Sequence, residues 1–162
     1  MQRAFVGGSG ASLKNTNLSL LNNEITFATN NIHQIYPYTD WRTKIYVRAE
    51  GPDMLERTDW QESVDVHTEM GVEMWMNDLF THGNKEQARI KSCAHYKKNF
   101  NDPNCPNMLH LPILCTFGSS VNVAVQIAML KELSPIYLIG CDLDSGMNHF
   151  SETYRHGKEQ EN

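Results

Sequence analysis

The sequence predicts an α/β fold: a Rossmann-like, mainly parallel sheet with helices on both faces, built as a single domain. Three observations support this. Short apolar runs alternate with helix-like stretches, the strand candidates are continuously apolar rather than two-faced, and a Gly/Ser-rich turn follows the first of them. A length of 162 residues with 40% hydrophobic composition suits one core of ordinary size.

Taken in order, "RAFVGG" reads as the first strand, "SLKNTNLSLLNN" as a brief amphipathic helix and "EITFATNN" as a second strand rich in β-branched and aromatic residues. "TKIYVRAE" gives a third strand that ends at Gly51-Pro52, and "SVDVHTE" reads as a fourth. In "GVEMWMNDLF", Val72, Trp75, Met76 and Leu79 stand at helical spacing, so this segment is expected to be a helix with Met and Trp as core contacts. Residues 81–106 are polar and carry two prolines; a partly helical, mobile lid or insertion is expected there. "SSVNVAVQIAMLKEL" is a long apolar helix, and "PIYLIGCDLD" a buried strand that runs into acidic residues.

The formal charge of -5 is distributed without a basic run, which argues against a nucleic-acid-binding face and leaves small anionic ligands open. No stretch has the roughly 18 consecutive apolar residues of a membrane helix, and no signal-peptide core is present, so a cytoplasmic location is expected. Four cysteines are too few for a disulfide framework. Cys93, His95, Cys105, His110 and Cys115 crowd one region, but without the close paired spacing of a structural zinc site.

Three stretches carry candidate chemistry. In "FVGGSGASL" the glycines Gly7, Gly8 and Gly10 leave backbone N–H groups at a helix start accessible to an anion, with Ser9 and Ser12 adding hydroxyls for a phosphate or a cap. Plain tight packing is the competing explanation for such glycines. The strict dinucleotide fingerprint is broken, because Leu13 replaces its third glycine. The acidic residue that would meet a ribose is replaced by Asn30 and Asn31, which argues against NAD. In "TFGSSVN", Thr116, Gly118, Ser119 and Ser120 offer either a second anion cradle or an ordinary N-cap. In "GCDLDSGMNHF", Asp142, Asp144 and His149 follow a strand end. His149 suits a general base, whereas Asp142 and Asp144 suit either magnesium or turn capping.

Together "VGGSGASLKNTNLSLLNNEITFATNNI", "TFGSSVNVAVQIAMLKELSPIYLIGCDLD" and "NHF" resemble the 6-hydroxymethylpterin diphosphokinase-like family, itself similar to bacterial lipooligosaccharide sialyltransferases. The resemblance implies that Gly8, Ser9, Gly10 and Ser12 form a nucleotide-phosphate turn and that Asn30 touches the nucleotide. It assigns Ser119 and Ser120 to the second helix start, Asp142 to the strand end and His149 to the catalytic base. Ser9 and Ala11 replace the family's usual asparagine and proline, and the chain stops soon after His149, where relatives continue, as a fragment of a longer frame would.

The first expectation from this resemblance is a sialyltransferase-like glycosyltransferase. It would use a CMP-sugar-like donor and a small-molecule or glycan acceptor, with no metal required, and Tyr154 would assist the leaving phosphate. The alternative is a magnesium-dependent diphosphokinase acting with ATP on a hydroxymethylpterin-like substrate, in which Asp142 and Asp144 hold the metal. A non-catalytic nucleotide-binding protein and a homo-oligomer stay open.

Overall fold

A computed structural model describes residues 1–49, 59–77, 88–90, 114 and 119–142. Among the described residues six strands form one sheet: β1 (Ala4–Gly7), β2 (Ile25–Thr29), β3 (Ile45–Arg48), β4 (Glu73–Asn77), β5 (Ala88–Ile90) and β6 (Ile136–Ile139). Their spatial order is β5-β4-β3-β2-β1-β6, and each neighbouring pair is parallel. The α/β class predicted from the sequence is therefore the one observed. The chain steps outward from β1 to β5 and then returns to lay β6 on the other side of β1, in register from Ala4↔Ile136 to Gly7↔Ile139. The direction of winding thus reverses at β1.

Alternation within the strands divides the core into two layers. Ala28, Tyr46, Met74 and Met76 face one side, with Leu13, Leu18, Leu21, Ile35, Trp41 and Val64. Val6, Phe27, Ile45, Val47 and Trp75 face the other, packed by Val123, Ala124, Ile127 and Ala128 of helix α2 (Ser120–Leu130). Helix α1 (Asp59–Glu69) and three 3-10 helices at Ala11–Asn15, Leu18–Leu21 and Ile32–Tyr38 cover the first layer. With both faces covered, strands gain nothing from exposing alternate residues, which is why they read as unbroken apolar runs.

Four sequence expectations are corrected. "SVDVHTE" lies in α1, not in a strand. Its buried positions are Ser63, Val64 and His67, at helical spacing, but two of the three are polar, so hydrophobicity alone hid the period. "GVEMWMNDLF" contains β4 rather than a helix: Met74, Trp75 and Met76 are buried in succession, as a strand covered on both faces allows. The helix expected after the first turn is two short 3-10 segments. Thr16 stops the first by turning extended while its hydroxyl donates to the Ser12 carbonyl, and such side-chain competition disfavours continuous helix. Finally, β6 is not buried. Among the described residues it is an edge strand, and Tyr137 and Leu138 are 45% and 56% exposed. Within the expected lid, β5 is a strand and the remainder lies outside the described residues.

A buried polar cluster holds the 3-10 helix Ile32–Tyr38 against α1. His67 stacks on Tyr46 at 3.9 Å between ring centroids, and its Nδ1 lies 2.6 Å from the Ser63 carbonyl. A carbonyl only accepts, so Nδ1 carries the proton and Nε2 accepts from the Tyr36 hydroxyl at 2.9 Å. Burial pushes His67 down to about 4, and burial likewise raises Tyr36. A histidine whose native pKa lies below its unfolded value of 6.5 takes its proton first in the unfolded chain. Stability should therefore be undiminished above about pH 6.5, fall as the pH drops to about 4 and level off below. The loss should approach about 3 kcal/mol. Urea unfolding at pH 7 and pH 4.5 measures it, and His67→Gln should flatten that difference.

Candidate functional site

In an open parallel sheet, the crevice for a ligand forms at the carboxyl ends of the strands where the winding reverses. Here that point lies between β1 and β6, and the residues leaving them are Gly8–Ser12 and Gly140–Asp142. The two segments are bound tightly together. The Gly8 N–H donates to the Ile139 carbonyl at 2.9 Å, and the Gly10 N–H to the Gly140 carbonyl at 2.8 Å. Asp142 then receives both donors of Ser12, the backbone N–H at Oδ2 (2.8 Å) and the hydroxyl at Oδ1 (2.5 Å).

This arrangement corrects the role expected of the first turn. Its Gly8 and Gly10 amides are not turned toward an external phosphate; they pair with the β6 exit, and the Ser12 donors pair with a carboxylate of the chain itself. The glycines are required by the same approach. A Cβ on Gly8 would collide with the Gly140 carbonyl oxygen, and one on Gly10 would lie 2.5 Å from Asp142 Oδ2. Leu13, which breaks the dinucleotide fingerprint, has a counterpart as well. Gly140 sits at φ +58°, and a Cβ there would run into the Leu13 side chain, which is itself buried. The small residue that helix–strand contact demands is supplied by the strand exit instead of by the turn.

The Ser12 hydroxyl, followed by the Ser12 amide, holds Asp142 below the usual carboxylate range. The carboxylate therefore stands ionised at the exit of β6 beside the first turn, and each oxygen keeps acceptor capacity beyond its one bond to Ser12. Such a group can accept from ligand hydroxyls or take a hard cation. Among the described residues no three His, Cys, Asp or Glu side chains gather as a metal site. The Asp142 carboxylate still suits magnesium, which is commonly held by one or two carboxylates together with substrate phosphates. Cys141, beside it, is a half-buried thiol whose pKa burial raises.

Two other strand ends complete the described rim. Asn30, leaving β2, takes the left-handed conformation at φ 54°, and its Oδ1 is buried without a hydrogen-bond partner among the described residues. Thr29 ties this end to β1 through a 3.2 Å hydrogen bond from its hydroxyl to the Gly7 carbonyl. At the end of β3 the α2 N-terminus arrives, and Ser119 is its N-cap, accepting from the Val121 N–H at 3.2 Å. Ser120 is a correction: it is buried, and its oxygen accepts from the Ala49 N–H at 3.0 Å, so it joins helix to sheet. Ala49 follows β3, two strands across from β1, so the α2 start lies roughly 10 Å from the first turn at ordinary strand spacing. Ser9 belongs to the turn itself. His149, Asp144, Tyr154, Thr116 and Gly118, with the cysteines and histidines of the zinc alternative, lie outside the described residues.

Sequence reasoning passed over Tyr46, Ser63 and Arg48. The Tyr46 and Ser63 hydroxyls both reach the Asn30 carbonyl, and Arg48 donates to Asn31 Oδ1 at 3.2 Å. The signal available for two of them was the period of two in "KIYVRAE", which puts Tyr46 and Arg48 on one face of β3 beneath the β2 exit. An open groove of about 490 Å³ lined by His33, Tyr36, Arg42, Glu62 and Glu69 lies beside α1, away from the β1–β6 crevice. Comparison with protein-family models, curated proteins and solved structures finds no match for this chain.

Two outcomes check this geometry. Gly140→Ala should destabilise by about 1–2 kcal/mol from its left-handed φ alone, and more from contact with Leu13. Combining it with Leu13→Ala should cost less than the two single losses added, as measured by denaturant unfolding. Ser12→Ala should raise the Asp142 pKa toward the ordinary carboxylate value, as followed by carboxyl-carbon NMR. Because the native value is depressed, the stability Asp142 contributes is complete above the unfolded-state pKa and is lost as the pH falls through the native one. In the variant that loss should be smaller and should finish at higher pH, because the native pKa has moved up toward the unfolded one.

Proposed function

We propose that the protein is a nucleotide-dependent transferase whose donor lies along the carboxyl edge of the sheet, from the β1–β6 crevice toward the α2 start. The observation that carries this reading is the meeting of Gly8–Ser12 with Asp142 at the point where an all-parallel sheet reverses its winding. The favoured reaction is glycosyl transfer from a CMP-sugar-like donor. In it, the acceptor hydroxyl oxygen attacks the anomeric carbon, the bond from that carbon to the phosphate oxygen breaks, and the hydroxyl proton passes to His149. Negative charge grows on the departing phosphate, and hydroxyls at Ser9 and Ser119, with Tyr154, would stabilise it. Asp142, ionised and already hydrogen-bonded, suits the ribose hydroxyls better than the phosphate, because two anions would repel at that distance.

That repulsion also supports a second reading. A di- or triphosphate lying beside Asp142 would need a cation between the two, as in a diphosphokinase using ATP, with Asp142 and Asp144 as the magnesium ligands. The metal would neutralise phosphate charge, and the chain would position the hydroxymethyl acceptor.

Thermal denaturation with CMP, CDP, UDP, GDP and ATP, each with magnesium and with EDTA, separates these readings. A ligand at 100 times its Kd adds about 2.7 kcal/mol, a rise of about 5–10 °C for a chain of this size. Stabilisation by CMP that survives EDTA is expected for glycosyl transfer, and stabilisation by ATP in magnesium alone for the diphosphokinase. Stabilisation by none of the nucleotides would sink both. His149→Ala should abolish turnover while nucleotide still binds, whereas unchanged turnover would remove His149 as the base.

A further inference from the structure

The left-handed Asn30 is secured from below by two hydroxyls on different elements. Tyr46, on β3, approaches the Asn30 carbonyl at 2.9 Å, and Ser63, on α1, at 2.8 Å, while the two hydroxyl oxygens stand 2.8 Å apart. The three oxygens form a triangle containing two hydroxyl protons. Either hydroxyl can supply the proton the carbonyl accepts, and the other can then donate to its neighbour. Both side chains are fully buried, Tyr46 fixed by its stack on His67 and Ser63 by its place in α1, so neither leaves the triangle by rotating into water. Asparagine tolerates a left-handed φ better than most residues but does not prefer it, so something must hold it there.

We infer that Tyr46 and Ser63 are positioning residues: together they lock the Asn30 carbonyl, and with it the left-handed turn that sets the Asn30 amide at the rim of the candidate site. The inference deepens the nucleotide-binding reading and rests on it for the ligand, a nucleoside monophosphate or its sugar conjugate. The conformational part stands apart from the ligand. Because each hydroxyl can substitute for the other, the clamp is redundant, and redundancy is a signature that simple core packing lacks.

The test uses Tyr46→Phe, Ser63→Ala and the double variant, each of which keeps the buried volume nearly unchanged. NMR backbone shifts of residue 30 report its conformation without any ligand. Each single variant should keep the left-handed φ, and the double variant should lose it. Retention of left-handed φ in the double variant would overturn the inference. Calorimetric titration with CMP, and with ATP plus magnesium, reads the effect on binding: within about threefold of wild type for the singles and at least tenfold weaker for the double. Asn30→Gly, which adopts positive φ without strain but has no amide, should weaken binding with little change in Tm. If Asn30→Gly weakens binding while the double variant binds normally, the nucleotide reading stands and the clamp falls. If wild-type protein binds neither probe, the nucleotide reading falls and the shifts of residue 30 alone decide the clamp.

Discussion

The structure turns on the contact between residues 8–12 and 139–142, where two backbone hydrogen bonds and the Asp142 carboxylate join the exits of β1 and β6. Charge-assisted bonds of this kind are roughly twice as strong as neutral ones. The Asp142 bonds continue the strand pairing, so the sheet register and the joining of the two strand exits are set by the same atoms. The identities of Gly8, Gly10, Leu13 and Gly140 follow from that approach and would be required even if no ligand ever entered.

Much of the fold was legible in the sequence, and the reasons differ by element. β1, β2 and β3 are apolar runs bounded by glycine, asparagine or polar turns, and α2 has a serine N-cap before a run with a clear helical face. The failures at α1 and β4 are connected. In α1 the buried face is built partly from Ser63, whose hydroxyl meets Tyr46 and the Asn30 carbonyl, and from His67, which bonds the Ser63 carbonyl and the Tyr36 hydroxyl, so its inward side looks polar on paper. In β4 both faces are covered, and a doubly buried strand has no period to read. The exposure of β6 was equally hidden, since an apolar strand gives no sign of whether a neighbour covers its outer edge.

The candidate site was legible in location more than in role. A Gly/Ser turn after a strand says that something approaches the backbone closely, without saying what. Here it is the Gly140 carbonyl and the Asp142 side chain. The serines divided in the same way: Ser119 caps as serine at such a position should, whereas Ser120 turned inward to Ala49. Asn30 was noticed for its amide, but the feature that distinguishes it is its backbone, held by a tyrosine and a serine that no local motif connects to it.

The return of β6 to the side of β1 has a kinetic consequence. β1 to β4 can assemble from neighbours in sequence, each loop closing over a modest length, whereas β6 must find β1 across more than 120 residues of intervening chain. Contacts of such long sequence separation are entropically slow to form. The β1–β6 pairing is therefore expected to form late in folding, so that a chain would own most of its core before it owns its candidate site.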